Sequence, residues 1–241
     1  MKKNHFIINF IFFGLIVFAL CAFNIAQAQD DRFVSLIVDT KTSNIELYWK
    51  NDKNELIKNF NNLKGYLENK GKRLRFAMNA GMYMTDYSPL GLFVQKQKTI
   101  RKLNTGKGST NFYMNPNGVF YITTNKKAHI CKTSEYVNDG SVNYATQSGP
   151  MLLIDGKINT EFTKGSTNVN IRNGVGILPN NKVIFTISKD YVNFYDFAEY
   201  FKSMGCTQAL YLDGAISAMY LPEKNWEQLD GDFGVMIGIT E

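Results

Sequence analysis

The chain has 241 residues, 44% of them hydrophobic and 14% aromatic, with 27 Lys and Arg against 21 Asp and Glu for a formal net charge of +6. With no Pro- or Ser-rich linker, low-complexity tract or internal repeat, that length and composition suit one domain with a sizeable core. Basic residues are scattered or in local pairs such as Lys126-Lys127, without interleaved aromatics, so no nucleic-acid partner is expected.

The amino terminus reads as an export signal. Lys2 and Lys3 precede an apolar segment over residues 6–23, broken only by Asn9 and Gly14, and Ala26-Gln27-Ala28 fits the small-x-small cleavage rule. Residues 1–28 are therefore expected to be a signal peptide and residues 29–241 an exported domain, periplasmic or secreted. An uncleaved anchor is the competing reading, because the apolar segment is long enough to cross a bilayer. Cys21 raises lipoprotein processing, but Leu20 before it is large where a small residue is needed. After residue 29 nothing resembles a membrane span, so the mature form is expected to have no stable one. The mature domain keeps 25 basic against 21 acidic side chains, a balance compatible with a mildly positive cleft for an anionic substrate.

In chain order, residues 32–38 and 44–49 read as two strands joined by a polar turn, an expected opening hairpin. From Asn54 to Asn69, the apolar residues Leu56, Ile57, Phe60, Leu63 and Leu67 recur at helical spacing and Gly71 supplies a stop. Strands are then expected at 74–78, 91–95, 99–100 and 119–122. His129 lies in a further strand. Residues 151–154 run into Asp155-Gly156, a hairpin signal, and residues 175–178 and 183–187 flank Pro179-Asn180-Asn181 as another. A second helix is expected after Asn193, which can cap it, with Asp196 favouring the helix dipole and Gly205 ending it. Its stripe of Phe194, Phe197, Ala198 and Phe201 should pack on the sheet that carries the next strand, 210–212, and 233–239 closes the chain as a strand. The sum is an α+β fold: one β-rich domain of mixed or antiparallel sheet with two main helices.

Catalytic chemistry has few candidates. One histidine, His129, remains after residue 28, which excludes a zinc site built on several histidines and leaves a Ser-His-Asp triad without a nucleophile motif. Cys131 and Cys206 either pair in an oxidising compartment or remain free thiols. Gly106-Lys107-Gly108-Ser109-Thr110 has the wrong spacing for a phosphate-binding P-loop. Carboxylates, amides, hydroxyls and arginine are what is left.

Four strand-end segments carry such groups. They are Met78-Asn79-Ala80-Gly81-Met82-Tyr83, Gln147-Ser148-Gly149-Pro150, Arg172-Asn173-Gly174-Val175-Gly176 and Leu212-Asp213-Gly214-Ala215-Ile216-Ser217. Singly, each has a plain structural reading, Asp213-Gly214 as a hairpin turn among them. Together and in this order they resemble the phosphodiester glycosidase family, in its bacterial exported branch, over roughly residues 75–240. The chain departs from the branch of that family that includes the mannose 6-phosphate uncovering enzyme where Asn-Gly-Gly becomes Asn79-Ala80-Gly81, where Thr or Ser after the arginine becomes Asn173, and where Asp-Gly-Gly-Gly-Ser becomes Asp213-Gly214-Ala215-Ile216-Ser217.

The resemblance implies hydrolysis of a sugar-1-phosphodiester to free sugar and phosphomonoester, with a glycan or sugar-phosphate as partner. In that reading Asp213 acts at the anomeric carbon and Arg172 on the phosphate, and Asn79, Gly81, Gln147, Ser148, Gly149, Gly214 and Ser217 bind substrate. Asp155, Glu161 and Asp190 are candidates for a second carboxylate. No cofactor is expected, and the acidic residues leave room for a divalent cation without ligand spacing that demands one. The alternatives are a non-catalytic glycan-binding module on the same scaffold, or a phosphodiesterase cutting the P–O bond.

Overall fold

A computed structural model describes residues 30–213 and 216–241. The expected signal peptide and Gly214 lie outside the described residues. Arg32–Glu241 forms one compact unit.

Three antiparallel sheets build the domain. The first has six strands: β1 (Phe33–Asp39), β9 (Met151–Ile154), β10 (Lys157–Ile158), β11 (Asn173–Leu178), β12 (Lys182–Ser188) and β13 (Gln208–Tyr211), in the order β1-β12-β11-β13-β9-β10. The second has five: β2 (Asn44–Tyr48), β3 (Leu74–Gly81), β14 (Met219–Leu221), β15 (Trp226–Glu227) and β16 (Val235–Thr240), in the order β15-β14-β3-β16-β2. The third has β4 (Phe93–Gln95), β5 (Lys98–Arg101), β6 (Gly118–Thr123), β7 (Ala128–Lys132) and β8 (Val142–Ser148), in the order β5-β4-β8-β6-β7.

All three sheets turn one face to a shared core. Leu36, Phe185 and Leu210 enter it from the first sheet, Leu47, Met78 and Ile237 from the second, and Phe93, Phe120 and Ile130 from the third. Each strand alternates, so a second face must also be covered. On the first sheet that cover is α2 (Phe194–Ser203), whose Phe197 and Phe201 pack with Ala209 and Tyr211. On the second it is α1 (Phe60–Glu68), through Phe60, Leu63 and Leu67.

Helix α2 forms as its sequence requires: Asn193 Oδ1 accepts from the Asp196 N–H at 2.8 Å, and Gly205 takes a φ of +84° just past the end. Helix α1 starts later than its apolar spacing predicts. Asn54 and Lys58 sit at φ of 66° and 69°, Leu56 bridges to Lys50, and Asn59 is the cap instead, accepting from Asn62 N at 2.8 Å.

The expected opening hairpin does not form. β1 pairs with β12 and β2 with β16, in two different sheets. The polar link does turn, with the Thr42 and Ser43 N–H groups donating to Asp39 O. A turn reverses the chain without dictating a ladder, and Leu36 and Leu47 reach the shared core from different sheets. The two later hairpins form as predicted, Ile154 opposite Lys157 and Leu178 opposite Lys182. The strands that flank the Asp213 run do not pair as a hairpin, since β13 before it and β14 after it belong to separate sheets.

Candidate active site

The junction of the three sheets brings the four strand-end segments together. β11 and β13 run antiparallel with Gly174 opposite Tyr211, and Leu212 N donates to Asn173 O at 3.2 Å. Arg172 and Asp213 therefore leave the same end of neighbouring strands. From the third sheet, Ser148 at the end of β8 donates its hydroxyl proton to Leu212 O. From the second, Asn79 on β3 meets Asn173: Asn173 Nδ2 donates to Asn79 O at 2.9 Å and to Asn79 Oδ1 at 2.7 Å.

Asn173 also accepts on Oδ1 from the Asp213 N–H at 3.0 Å. Asn79 Oδ1 accepts a second bond, from Ala218 N at 2.9 Å. Both ends of the Asp213 loop are thus tied to one pair of buried amides, and the Ser217 hydroxyl closes the loop by donating to Asp213 O. Asp213 itself is 7% exposed. Asn79 Nδ2 is buried and has no hydrogen-bond partner among the described residues. Leaving such a donor unpaired costs about 1–3 kcal/mol, which is seldom kept without a reason.

The glycines at the junction are set by close approach. A Cβ on Gly81 would stand 2.7 Å from Thr146 Oγ1, the hydroxyl that joins β8 to β3 by donating to Ala80 O at 2.9 Å. A Cβ on Gly149 would meet Asn117 Cβ at 2.6 Å and Phe112 O at 2.9 Å.

Two expected substrate contacts have other partners here. Gln147 is 1% exposed and fully engaged: Oε1 accepts from Leu92 N and Asn104 N, each at 2.9 Å, while Nε2 donates to Asn104 O at 2.8 Å and Thr133 Oγ1 at 3.1 Å. Arg172 has no exposed surface. Its Nε donates to Val192 O at 2.8 Å, its Nη2 to Asn168 O at 3.0 Å, and its Nη1 to the Tyr211 hydroxyl at 3.4 Å. The guanidinium lies 3.7 Å over the Phe194 ring. No carboxylate is among these partners, and burial lowers its pKa from the usual arginine value. It is a buried positive charge that fastens the loops before β11 and after β12.

The Asp213 charge acts on two tyrosines, Tyr83 and Tyr211, that sequence reasoning gave no role. Burial raises the Tyr83 and Tyr211 phenols to about 12, and the Asp213 charge adds to both shifts. For Tyr211 the neighbouring Arg172 pulls the other way. Tyr83 donates to Asp232 O and stacks on Tyr87, whose hydroxyl donates to the Asp232 carboxylate. Lys58 stands 4.1 Å over the Tyr87 ring. The only signal for Tyr83 in the sequence was its place four residues after Asn79.

The other candidates lie elsewhere. Asp155 is in the β9–β10 turn, where its Oδ1 accepts from Gln208 Nε2 at 2.7 Å, at the end of β13 away from Asp213. Glu161 and Asp190 are exposed. His129 stacks on Tyr121 on the third sheet. Cys131 and Cys206 are both free thiols. Among the described residues there is no cluster of three or more His, Cys, Asp or Glu able to hold a metal ion, and no helix long and apolar enough to cross a membrane.

Asp213 thus sits on a loop held by two buried amides, with the buried Arg172 cation just before the adjoining strand β11. The family profile of phosphodiester glycosidases matches residues 72–236, a span that contains all four segments. The chain belongs to the phosphodiester glycosidase family. An uncharacterised Escherichia coli K12 protein, YigE, is 34% identical over 207 residues, covering 85% of this chain and 81% of that one. Among solved structures, the catalytic domain of zebrafish N-acetylglucosamine-1-phosphodiester alpha-N-acetylglucosaminidase, auto-inhibited by its pro-peptide, superposes with a TM-score of 0.56 at 14% identity. That match covers 89% of this chain and 85% of the zebrafish one. A hypothetical protein from Synechocystis matches at a TM-score of 0.53 and 13% identity, over 86% of this chain and 59% of its own length. These likenesses show the fold.

Proposed function

We propose that the protein is an exported glycosidase that hydrolyses a sugar-1-phosphodiester, in a surface polysaccharide or another phosphate-bearing glycan, to free sugar and phosphomonoester. The observation that carries the reading is the seating of Asp213: a carboxylate on a loop whose two ends are fixed by buried amides, in a chain of this family.

The reaction breaks the bond between the anomeric carbon and the phosphate oxygen, and the departing oxygen keeps the electron pair. Phosphate is a weak base, so departure needs charge stabilisation more than protonation. Asp213 faces the positive charge that develops at the anomeric carbon, as nucleophile, as base for water or as its electrostatic partner. Water supplies the hydroxyl that ends on that carbon. Arg172 contributes a fixed positive potential to the phosphate side from beneath Tyr211; with Nε and Nη2 already hydrogen-bonded to Val192 and Asn168, it acts through its field and not as a bidentate clamp. Gly81, Gly149, Ser148 and Ser217 hold the frame, and Asn79 offers a donor. Gly214, next to Asp213 in sequence, is assigned to the substrate side on the resemblance alone.

The test is release of reducing sugar from hexose 1-(methyl phosphate) diesters, run in 18O-labelled water. Label is expected in the sugar; label in the phosphate rejects the glycosidase reading in favour of P–O cleavage, and binding without turnover leaves a glycan-binding module. Asp213→Asn should lower turnover about 10³-fold while the thermal midpoint holds. Wild-type turnover in that variant would remove Asp213 from the mechanism.

A further inference from the structure

The orientation of a side-chain amide is normally ambiguous, because its oxygen and nitrogen look alike. Here two main-chain donors remove the ambiguity. Asp213 N–H can bond only to an oxygen, so Asn173 Oδ1 faces the Asp213 main chain and Asn173 Nδ2 must face Asn79. Ala218 N–H likewise requires Asn79 Oδ1, which the Asn173 donor also occupies. Turning the Asn79 amide over would set its NH2 against two donors. Its Nδ2 is therefore locked in the remaining direction, and that atom has no partner among the described residues.

We propose that Asn173 is a positioning residue that holds the Asn79 carboxamide in one orientation, so that Asn79 Nδ2 donates a hydrogen bond to an oxygen of the substrate beside Asp213. The ligand atom so recognised is an acceptor, a sugar hydroxyl oxygen or a non-bridging phosphate oxygen, and not a hydroxyl acting as donor. The same lock fixes the Asp213 main chain, so one residue sets the carboxylate and its neighbouring donor together. Asn173 is 0% exposed and reaches no substrate; it acts through Asn79 and Asp213. This inference rests on the hydrolase reading for its kinetic consequences, though not for the geometry.

Four variants separate the roles. Asn79→Asp keeps the oxygen that accepts from Asn173 and Ala218, replaces the free donor with an acceptor and adds a negative charge, and Asn79→Ser removes the donor without that charge. Asn173→Asp keeps the acceptor for Asp213 N–H and loses both donations to Asn79. The double variant closes a cycle. With thermal midpoints checked first, kcat/KM on the phosphodiester panel should fall about 10- to 100-fold in each single variant, and the double should fall little further, because both break one linkage. Asn173→Ser should recover part of the Asn173→Asp loss without restoring Tm, a pattern that a packing role would not give. Activity within twofold of wild type in Asn79→Asp, or fully additive losses, overturns the proposal. A second measurement is independent of turnover: the side-chain 15N–H signals of Asn79, followed while glucose 1-phosphate is added to the wild-type protein. A shift confined to that pair and the Asp213 loop, absent in Asn173→Asp, is expected even if the panel is not cleaved, in which case the hydrolase reading alone fails. No shift at Asn79 overturns the donor role.

Discussion

Gln147 and Asn79 stand near strand ends in adjoining sheets, each 1% exposed, and they differ in what their amides do. Gln147 makes four hydrogen bonds within the protein and stitches the Leu92 and Asn104 segments to β8. Asn79 fills its oxygen twice and leaves its nitrogen empty. Burial and residue type alone do not tell a frame from a site. The count of satisfied donors does, and by that count Arg172 sits with Gln147, its Nε and Nη2 both taken by the frame.

Removing Arg172 should have the largest effect on stability. Arg172→Met leaves Val192 O and Asn168 O without their buried donor and loses the stack on Phe194, and should cost about 3 kcal/mol in urea unfolding. Arg172→Lys should recover little of it, since a lysine cannot present three divergent donors over a ring. An Arg172→Met protein of wild-type stability would move Arg172 out of the frame. Gln147→Leu comes next. It orphans the Leu92 and Asn104 N–H groups and should destabilise by about 2 kcal/mol while leaving kcat/KM of the folded fraction nearly intact, the reverse of Asn79→Asp. Equal losses of activity in both would erase the difference between the two amides.

The mildest probe is alkali. Tyr211 is held near 12 when folded against an ordinary value of 10.0, and the Cys206 thiol near 12 against 9.0. Raised acids stabilise the fold fully below their unfolded values and lose that contribution as pH climbs toward the folded ones. Stability should therefore decline between about pH 9 and 12, and tyrosine ionisation followed by ultraviolet absorbance should coincide with unfolding. Free titration of Tyr211 in the folded protein at pH 10 would contradict its burial.

Much of the fold was legible because its signals are local. Asn193, Asp196 and Gly205 bracket α2 within a dozen residues, and the Asp155-Gly156 and Pro179-Asn181 turns each carry their own chemistry. What stayed hidden depends on distant partners. The pairing of β1 with β12 spans some 150 residues, and no turn between β1 and β2 announces it. The site divides in the same way. Its four segments could be picked out by type and order, including Asp213 and Asn79. Asn173 gains its function from partners 94 and 40 residues away, and Tyr83 and Tyr211 from a charge brought to them by the fold.

The meeting of three sheets at Asp213 has a consequence for how the molecule comes into being. Asn79 and Ala218 are separated by 139 residues, and the strand that lies beside β3 and completes its sheet is β16, the sixteenth in order. A chain that ends before β16 lacks the strand paired along β3 from Leu74 to Gly81, the stretch that carries Asn79. Long-range pairing of this kind also slows folding. The geometry around Asn79 thus belongs to the finished architecture, because it needs strands from both ends of the chain.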